Sequence, residues 1–260
     1  MNERGDPGDT HSGPALVTGA ARRIGLAIAA RLAREGRPVV LHASRRSAEE
    51  AELAAEAIRR KGGEALVAVA DLARTEETER LVPQAARAFG PLTLLVNNAS
   101  MFEVDDAGDF SADQYERLMA VNLRAPLLLA RDFAAQLPAG ADGAIVNMID
   151  QRVWRLTPRY FSYTLSKSAL WTATRTMAQA YAPRIRVNGV GPGPVFPNEA
   201  LGDRDFEIEA HGVPLGHAAD VSGVVDAVLF LSRAKSVTGQ MIAVDSGQHL
   251  AWRTPDVAPE

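Results

Sequence analysis

Apolar residues alternate along this chain, from residue 14 onward, between short continuous runs and longer stretches where they recur every three or four positions. The short runs predict seven buried strands, and the longer stretches predict six amphipathic helices between them. The strands are predicted at residues 15–18, 38–43, 65–70, 92–96, 144–148, 185–190 and 241–244, and the helices at residues 23–34, 48–61, 76–89, 112–136, 161–181 and 219–232. This alternation favours an α/β fold in which a doubly wound, seven-stranded parallel sheet carries helices on both faces.

The chain length and the single alternating pattern predict one domain over residues 14–250. Residues 1–13 are predicted to be a disordered lead, and residues 251–260 a C-terminal tail. A stretch rich in proline and glycine near residues 194–215 is interpreted as a substrate loop that covers the site.

Composition and charge narrow the classes of function. The 260 residues include 28 basic and 32 acidic ones, and the basic residues form no run, so nucleic acid and anionic membranes are not expected as partners. No apolar stretch approaches the roughly 20 residues of a membrane span, and the N-terminus lacks the apolar core of a signal peptide, so a cytoplasmic protein is expected. The chain has no cysteine, and its five histidines lack HxH and HxxxH spacing, which predicts that it holds no metal ion.

The stretch ALVTGAARRIGLAIAARLA joins the first strand to the first helix through a glycine turn. Gly19 allows the sharp turn, Gly25 lets the helix pack close to the sheet, and the free N–H groups at the helix start form an anion site. An ordinary strand-to-helix turn could have the same glycines. At the first strand of a doubly wound sheet, however, they are typical of a single-domain Rossmann fold that binds a dinucleotide.

The end of the second strand predicts which dinucleotide is bound. Enzymes that use NAD usually have an acidic residue here, whereas this chain has Ser44, Arg45, Arg46 and Ser47 and no acid before Glu49. Guanidinium and hydroxyl groups suit a 2′-phosphate, so NADP or NADPH is the predicted cofactor. The alternative is a basic helix start without a ligand, which the helix dipole disfavours unless an anion neutralises it.

Tyr163 and Lys167 are the candidate catalytic pair, because residues four apart on a helix project from the same face. A free tyrosine has a pKa of about 10 and is a poor acid-base catalyst at neutral pH. The neighbouring ammonium is expected to favour the phenolate and lower that pKa. Tyr160 and Tyr181 have no lysine four positions on, so the pair is assigned to Tyr163 and Lys167.

In their order and spacing, the glycine turn, the NNAS run and the YTLSK run resemble those of the short-chain dehydrogenase/reductase family, over roughly residues 14–250. Arg23 stands at the middle glycine of the family's T-G-x-x-x-G-x-G turn. A helix start needs no positive φ, so an arginine is expected to fit there and to add a positive charge beside the pyrophosphate. The resemblance implies that Asp71 and Leu72 contact the adenine, and that Asn122 holds a water beside the lysine.

The same resemblance implies which residues bind the cofactor. By position these are Gly19, Arg23, Ile24, Gly25, Ser44, Arg45, Arg46, Ser47, Asp71, Leu72, Asn98, Ala99, Ser100, Tyr163, Lys167, Pro192, Gly193 and Val195. The side chains of Asn97 and Asn98 are expected to tie their loop to neighbouring strands, so their role is structural as much as functional.

Asp150 stands thirteen positions before Tyr163, where most members of the family have a serine whose hydroxyl binds the substrate. An ionised carboxylate only accepts hydrogen bonds, so it suits a substrate that offers N–H groups. Together with Arg23, Ser100 and Phe102, this aspartate resembles the pteridine reductase subgroup. Phe102 is then expected to stack on a pterin ring that Arg23 and Ser100 also contact. Asp150 is expected to engage the Tyr163 hydroxyl and relay protons.

The predicted function is therefore an NADPH-dependent reductase of oxidised or dihydro pterins, dihydrofolate included, with Asp150, Tyr163, Lys167 and Asn122 as its catalytic residues. Two alternatives stay open. One is a short-chain reductase of a carbonyl substrate, such as a 3-oxoacyl thioester or a ketone, and the other is a non-catalytic protein in which bound NADP regulates a partner. The resemblance also implies a homotetramer built through the helices near residues 112–136 and 161–181, with the C-terminal segment at another interface.

Overall fold

The structure, a computed structural model, describes residues 13–197 and 202–252 of the chain. Seven strands form one sheet in the order β3-β2-β1-β4-β5-β6-β7, and every neighbouring pair is parallel. Their bounds are Ala15–Val17 (β1), Val39–Ala43 (β2), Ala65–Val69 (β3), Leu94–Asn97 (β4), Gly143–Met148 (β5), Ile185–Pro192 (β6) and Met241–Val244 (β7). The predicted seven-stranded parallel sheet is confirmed. Residues 1–12 of the predicted lead and residues 253–260 of the predicted tail lie outside the described residues.

Eight α-helices connect the strands over the described part of the chain. They are α1 (Arg23–Arg34), α2 (Ala48–Arg60), α3 (Thr75–Phe89), α4 (Ala112–Met119), α5 (Ala125–Gln136), α6 (Phe161–Tyr181), α7 (Gly202–His211) and α8 (Val221–Arg233). Helix α7 lies within the stretch that the sequence predicted as a loop. Phe206 and Ala210, four residues apart, form its partly buried face. The prolines and glycines just before this helix obscured that spacing in the sequence.

Helices cover both faces of the sheet, as predicted. Ile28 of α1 and Val228 of α8 are fully buried in the core on one face. Leu81 of α3 and Phe133 of α5 belong to the core on the other face. Central strands buried on both sides explain why the sequence shows continuous apolar runs. None of the described helices has the length and apolarity needed to span a membrane.

The helix predicted at residues 112–136 is interrupted by a π-turn, Ala120–Arg124, between α4 and α5. A π-turn makes hydrogen bonds between residues five apart, so it adds one residue to the helix without ending it. The apolar period of the sequence continues through the segment, which is why the sequence predicted a single helix. Asn122 lies in this turn and is completely buried.

The strand order reverses between β1 and β4, and a doubly wound sheet opens a crevice at such a point. The Thr18 hydroxyl accepts hydrogen bonds there from the N–H groups of Asn98 at 2.9 Å and Ala99 at 3.0 Å. Asn98 Nδ2 donates in return to the carbonyl oxygens of Thr18 and Gly19. Asn97 Nδ2 donates to Asn147 Oδ1 at 2.8 Å. The predicted structural role of both asparagines is therefore confirmed.

Candidate active site

A cleft of about 1130 Å³ runs along the carboxyl edge of the sheet, from the end of β2 to the start of α6. Every residue predicted for the site lines this cleft except Asn122. Ligand sites of α/β sheets lie at this edge, and the cleft is large enough for a dinucleotide with a second small molecule beside it. Within residues 13–197 and 202–252, no group of three or more acidic or histidine side chains could hold a metal ion.

Gly19 and Gly25 occupy positions where no side chain fits. Gly19 has a φ of 63°, and a Cβ on it would lie 2.9 Å from the Cα of Ala99. A Cβ on Gly25 would lie 2.3 Å from the carbonyl oxygen of Gly19. Carbon contacts are normally about 3.5–4.0 Å, so both positions require glycine. Both glycines line the cleft together with Arg23 and Ile24 at the start of α1, which fits the predicted pyrophosphate site.

His42 supports this turn from the neighbouring strand. Its Nδ1 accepts a hydrogen bond from the Gly19 N–H at 3.1 Å, and its Nε2 donates to the Ala70 carbonyl oxygen at 3.2 Å. Burial lowers the pKa of His42 to about 4, although the hydrogen bond to Ala70 and the charge of Asp71 act in the opposite direction. The neutral ring therefore links the ends of β1, β2 and β3 at pH 7, a role that no sequence motif indicated.

Arg23 has a φ of 54°, in the left-handed region. The expectation that an arginine at this helix start needs no positive φ is therefore wrong. The preceding Arg22 is extended, with a φ of −153°, and the chain turns into α1 through Arg23. A glycine adopts this conformation freely, whereas another residue loses roughly 1–2 kcal/mol. The Arg23 guanidinium lies 5.3 Å from the centre of the Phe196 ring, so it connects the turn to the loop after β6.

The cluster predicted to bind a 2′-phosphate lines the cleft at the end of β2 and consists of Ser44, Arg45, Arg46 and Ser47. Arg45 is already paired, because its Nη2 donates to Glu77 Oε1 at 2.9 Å. Glu77 also accepts a hydrogen bond from the Asp71 N–H, and this bond and the one from Arg45 lower the pKa of Glu77. The sequence reasoning missed this acid, which neutralises part of the cluster. Arg46 makes no ion pair with any described residue and is exposed in the cleft.

Asp150, Tyr163 and Lys167 meet at the other end of the cleft, and all three side chains are buried. The Tyr163 hydroxyl donates to Asp150 Oδ2 at 2.8 Å. Lys167 Nζ donates to the Met148 carbonyl oxygen at 2.8 Å and lies 5.7 Å from the centre of the Tyr163 ring. The contact expected between Asp150 and the Tyr163 hydroxyl is present.

Asp105 fixes the start of α6 and thereby the position of Tyr163. Its carbonyl oxygen accepts a hydrogen bond from the Tyr160 N–H at 2.8 Å. Its carboxylate oxygens accept from the Ser162 N–H at 3.2 and 3.3 Å. A carboxylate at a helix start satisfies free N–H groups and interacts favourably with the helix dipole. These bonds hold the register in which Tyr163 faces Asp150.

Burial, the charge of Asp150 and the hydrogen bond to Asp150 raise the pKa of Tyr163 well above 10. Arg152 and Ser100 act in the opposite direction without outweighing these effects. The expectation that Lys167 brings Tyr163 toward the phenolate is therefore wrong for this site. Burial lowers the pKa of Lys167 itself to about 8, although Asp150 raises it. Tyr163 is consequently a protonated hydroxyl at pH 7 and suited to donate a proton.

Arg152 is a site residue that the sequence reasoning missed. It lies in the short 3₁₀ turn Gln151–Val153, at whose start Asp150 Oδ1 accepts the Arg152 N–H at 2.8 Å. Arg152 Nη1 is 3.5 Å from Asp150 Oδ2, the oxygen that also accepts from Tyr163. Its Nη2 is 3.7 Å from Glu209 Oε1 on α7. The available signal was a basic residue two positions after an unusual acid.

Phe102 lies beside Tyr163, but one of its faces is covered. Its ring stacks on Tyr160 with a centroid distance of 4.5 Å and meets Tyr163 edge-on at 4.6 Å. The Arg152 guanidinium lies 5.4 Å from the centre of the Phe102 ring and 4.9 Å from that of Tyr160. A flat substrate could therefore use only the remaining face of Phe102, and stacking on a substrate stays a prediction.

Asn122 is completely buried and does not line the cleft. Its Oδ1 accepts hydrogen bonds from the Met101 N–H at 2.8 Å and the Ser100 hydroxyl at 3.3 Å. Its Nδ2 donates to the Met101 carbonyl oxygen at 2.9 Å and to Ser166 Oγ at 3.1 Å. The amide group has thus used its two donors and its two acceptor sites. Its side chain anchors the loop that carries Ser100 and Phe102, and the implied contact with a water stays a prediction.

The chain is similar to known proteins over most of its length. A family model described as enoyl-(acyl carrier protein) reductase matches residues 19–249. A short-chain type dehydrogenase/reductase of Picea abies is 34% identical over 249 residues, which cover 90% of this chain and 91% of that protein. The chain belongs to the short-chain dehydrogenase/reductase family. It is therefore an oxidoreductase of that family, as the resemblance in the sequence implies.

Relatives within the family differ in the substrates that their names state. FolM alternative dihydrofolate reductase 1 from Brucella suis, whose crystal structure contains NADP, is 50% identical with a TM-score of 0.92. The match covers 96% of this chain and 100% of that structure. A 3-oxoacyl-[acyl-carrier-protein] reductase, FabG of Staphylococcus epidermidis, is 30% identical over 91% of this chain and 98% of that protein. Family membership alone thus leaves both a pterin and a carbonyl substrate open.

Proposed function

We propose that this protein is an NADPH-dependent reductase of oxidised or dihydro pterins, dihydrofolate included. The proposal rests on the 2.8 Å hydrogen bond from the Tyr163 hydroxyl to Asp150, beside the ring of Phe102. An ionised carboxylate cannot donate a hydrogen bond to a substrate carbonyl, as the usual serine does. A flat ring rich in nitrogen suits an aromatic neighbour and an acceptor at its edge. The 50% identity with the Brucella suis FolM dihydrofolate reductase supports the same substrate class.

The residues of the cleft fit NADPH at three points. Gly19 and Gly25 line the cleft at the start of α1, whose free N–H groups would bind the pyrophosphate. Arg46 offers an exposed guanidinium for the 2′-phosphate. Lys167, whose Nζ donates to the Met148 carbonyl oxygen, would bind the nicotinamide ribose. Bound NADPH supplies the hydride for the reduction.

Tyr163 supplies the proton. Its pKa lies well above 10, because of burial and the nearby Asp150, so the hydroxyl is protonated at neutral pH. When the carbon of a substrate C=N bond receives the hydride, the O–H bond of Tyr163 breaks and its proton passes to the nitrogen. Asp150 orients this hydroxyl, and a proton relayed through Asp150 restores it.

Assays of NADPH oxidation with dihydrobiopterin, dihydromonapterin and dihydrofolate test the proposal. Turnover of at least one pterin is expected, and no turnover of any of the three refutes it. Asp150→Ser restores the hydroxyl that is usual in the family and is expected to lower kcat for the pterin roughly 10- to 100-fold. Asp142→Ser is the matched control, because this exposed aspartate precedes the opposite end of β5. Unchanged kinetics of Asp150→Ser would place Asp150 outside the mechanism.

A second candidate function is the reduction of a carbonyl substrate, which the similarity to FabG favours. Tyr163 and Lys167 would serve it equally well, but it gives no reason for an aspartate at position 150. Ketones and 3-oxoacyl thioesters assayed beside the pterins separate the two functions by the ratio of kcat/KM. Tight NADPH binding without turnover of either class would instead favour the non-catalytic alternative.

The proposed assembly is a homotetramer. Exposed apolar side chains lie on the segments that the family resemblance implies are interfaces. They are Leu165 on α6, and Leu250 and Trp252 in the C-terminal segment. Light scattering of the purified protein tests this, and a monomer at micromolar concentration contradicts it. The cytoplasmic location that the sequence predicts is tested by cell fractionation.

A further inference from the structure

The charged side chains that line the cleft include Asp150, Arg152, Lys167 and Glu209. Asp150 and Lys167 flank Tyr163, as the family pattern implies. Arg152 and Glu209 belong to no family motif, yet the side chain of Arg152 is only 16% exposed. Charges that are shielded from water interact strongly, so a buried guanidinium at this position affects the chemistry next to it.

The aspartate at position 150 opposes the proton transfer that the site has to perform. When Tyr163 releases its proton, a phenolate oxygen forms 2.8 Å from a carboxylate oxygen of Asp150. Like charges at this distance repel each other, and a serine at the same position would cause no such repulsion. Lys167 compensates only in part, because its Nζ is bonded to the Met148 carbonyl oxygen and burial lowers its pKa to about 8.

Arg152 supplies the missing positive charge. Its guanidinium Nη1 lies 3.5 Å from Asp150 Oδ2, while the backbone N–H of Arg152 donates to Asp150 Oδ1 at 2.8 Å and so fixes the orientation of the carboxylate. Burial lowers the pKa of Arg152, but the nearby acidic groups, Asp150 foremost and Glu209 also, outweigh this effect and raise it, so the guanidinium stays charged.

Glu209 holds the guanidinium at its other end. Its Oε1 lies 3.7 Å from Arg152 Nη2 and accepts a hydrogen bond from Gln248 Nε2 at 2.9 Å. Glu209 belongs to α7, a helix that lines the cleft, so Arg152 joins this helix to Asp150. The ring of Tyr160, 4.9 Å away, packs against the guanidinium and limits its movement.

We propose that Arg152 is a positioning residue for proton delivery. It neutralises Asp150, so that an acid can occupy the place of the usual serine, and Glu209 anchors its guanidinium. The inference rests on the proposed reductase chemistry but does not require a pterin. Tyr163 gives its proton to the nitrogen of a C=N bond or to the oxygen of a C=O bond through the same step.

Arg152→Gln removes the charge and keeps a polar side chain. With the substrate that the wild type reduces best, kcat is expected to fall about 100-fold. The Kd for NADPH, measured by cofactor fluorescence, is expected to change less than about twofold, because Arg152 lies at the substrate end. Arg152→Lys keeps the charge without the guanidinium fork and is expected to recover kcat to within about tenfold of the wild type. Arg155→Gln, an exposed arginine three residues later, is the control and should keep wild-type kinetics.

A double-mutant cycle with Asp150→Asn separates the role of charge from that of packing. Position 150 has no charge in that background, so adding Arg152→Gln is expected to lower kcat by a further factor of less than about three. An equal fold-loss in both backgrounds overturns the proposal, because Arg152 would then act only through its packing on Tyr160 and Phe102.

The two proposals fail under different outcomes. If the wild type reduces carbonyl substrates but no pterin, the pterin function is refuted. If the expected coupling between Asp150 and Arg152 is found with those substrates, the role of Arg152 is supported. If the protein reduces a pterin but Asp150→Asn and Arg152→Gln act independently, only the proposed role of Arg152 is refuted. Turnover of neither substrate class overturns both.

Discussion

Lys167 is expected to lower the stability of the protein at neutral pH. Its side chain is almost completely buried, and burial lowers its pKa from 10.5 to about 8. Because the pKa is lower in the folded chain, the unfolded chain holds the proton more tightly. Between about pH 8 and pH 10.5 the unfolded state therefore binds more protons than the folded state, and the free energy of unfolding rises with pH.

The lowered pKa of Lys167 also gives the size of this effect. A fall from 10.5 to about 8 corresponds to about 3 kcal/mol of destabilisation, which is nearly complete at pH 7 and is lost above pH 10.5. Linkage then predicts that about 2 kcal/mol is recovered between about pH 7 and pH 9.5. Tyr163 adds little up to pH 9.5, because the folded hydroxyl stays protonated and an unfolded tyrosine, with a pKa of about 10, loses only a small part of its proton there.

Urea unfolding of the wild type and of Lys167→Met at both pH values measures this contribution. Subtracting the free energy of unfolding of one protein from that of the other cancels the contributions of the titratable groups that both proteins contain. Lys167→Met is expected to gain most relative to the wild type at pH 7, and this gain should shrink by about 2 kcal/mol at pH 9.5. Lys61→Met, at an exposed lysine after α2, is the control and should show no such change. The same difference at both pH values would refute the burial of a titrating lysine.

Two further predictions concern the cofactor end of the cleft. Arg23→Gly is expected to unfold with a free energy about 1 kcal/mol higher than Arg23→Ala, since both lose the guanidinium but only glycine fits a φ of 54° without strain. At the extended Arg22, the alanine variant should instead have the higher free energy of unfolding. If urea unfolding gives the same order of the two variants at both positions, the proposed strain at Arg23 is contradicted. Arg46→Ala is expected to raise the Kd for NADPH about 10- to 100-fold and to leave that for NADH nearly unchanged, whereas Arg60→Ala on α2 should change neither. Fluorescence titration measures both constants, and equal weakening of the two cofactors would argue against a 2′-phosphate contact.

The features that the sequence predicted well depend on short-range requirements. Central strands buried on both faces must be apolar along their whole length, so they stand out as continuous runs. Gly25 could be recognised because the contact that demands it, with Gly19, lies within the same turn. The pairing of Tyr163 with Asp150 also followed, because both belong to motifs of fixed spacing.

The features that the sequence did not predict depend on distant partners or on unusual backbone. Glu77 neutralises Arg45 from another helix, and Glu209 meets Arg152 from α7, which no periodic pattern could indicate. The left-handed φ of Arg23 was missed because residues other than glycine rarely adopt it. The high pKa of Tyr163 follows from its burial and its distance to Asp150, which only coordinates can give.

The shape of the active site depends on the one extra residue that the π-turn at Ala120–Arg124 adds to its helix. Its extra residue rotates α5 relative to α4 by about 100° compared with one regular α-helix. Deleting one residue within the turn would restore regular backbone hydrogen bonds and swing Asn122 away from Met101, so the helix would become more regular while Phe102 lost its anchor. A single-residue deletion in this turn is therefore expected to change the active site as well as the helix.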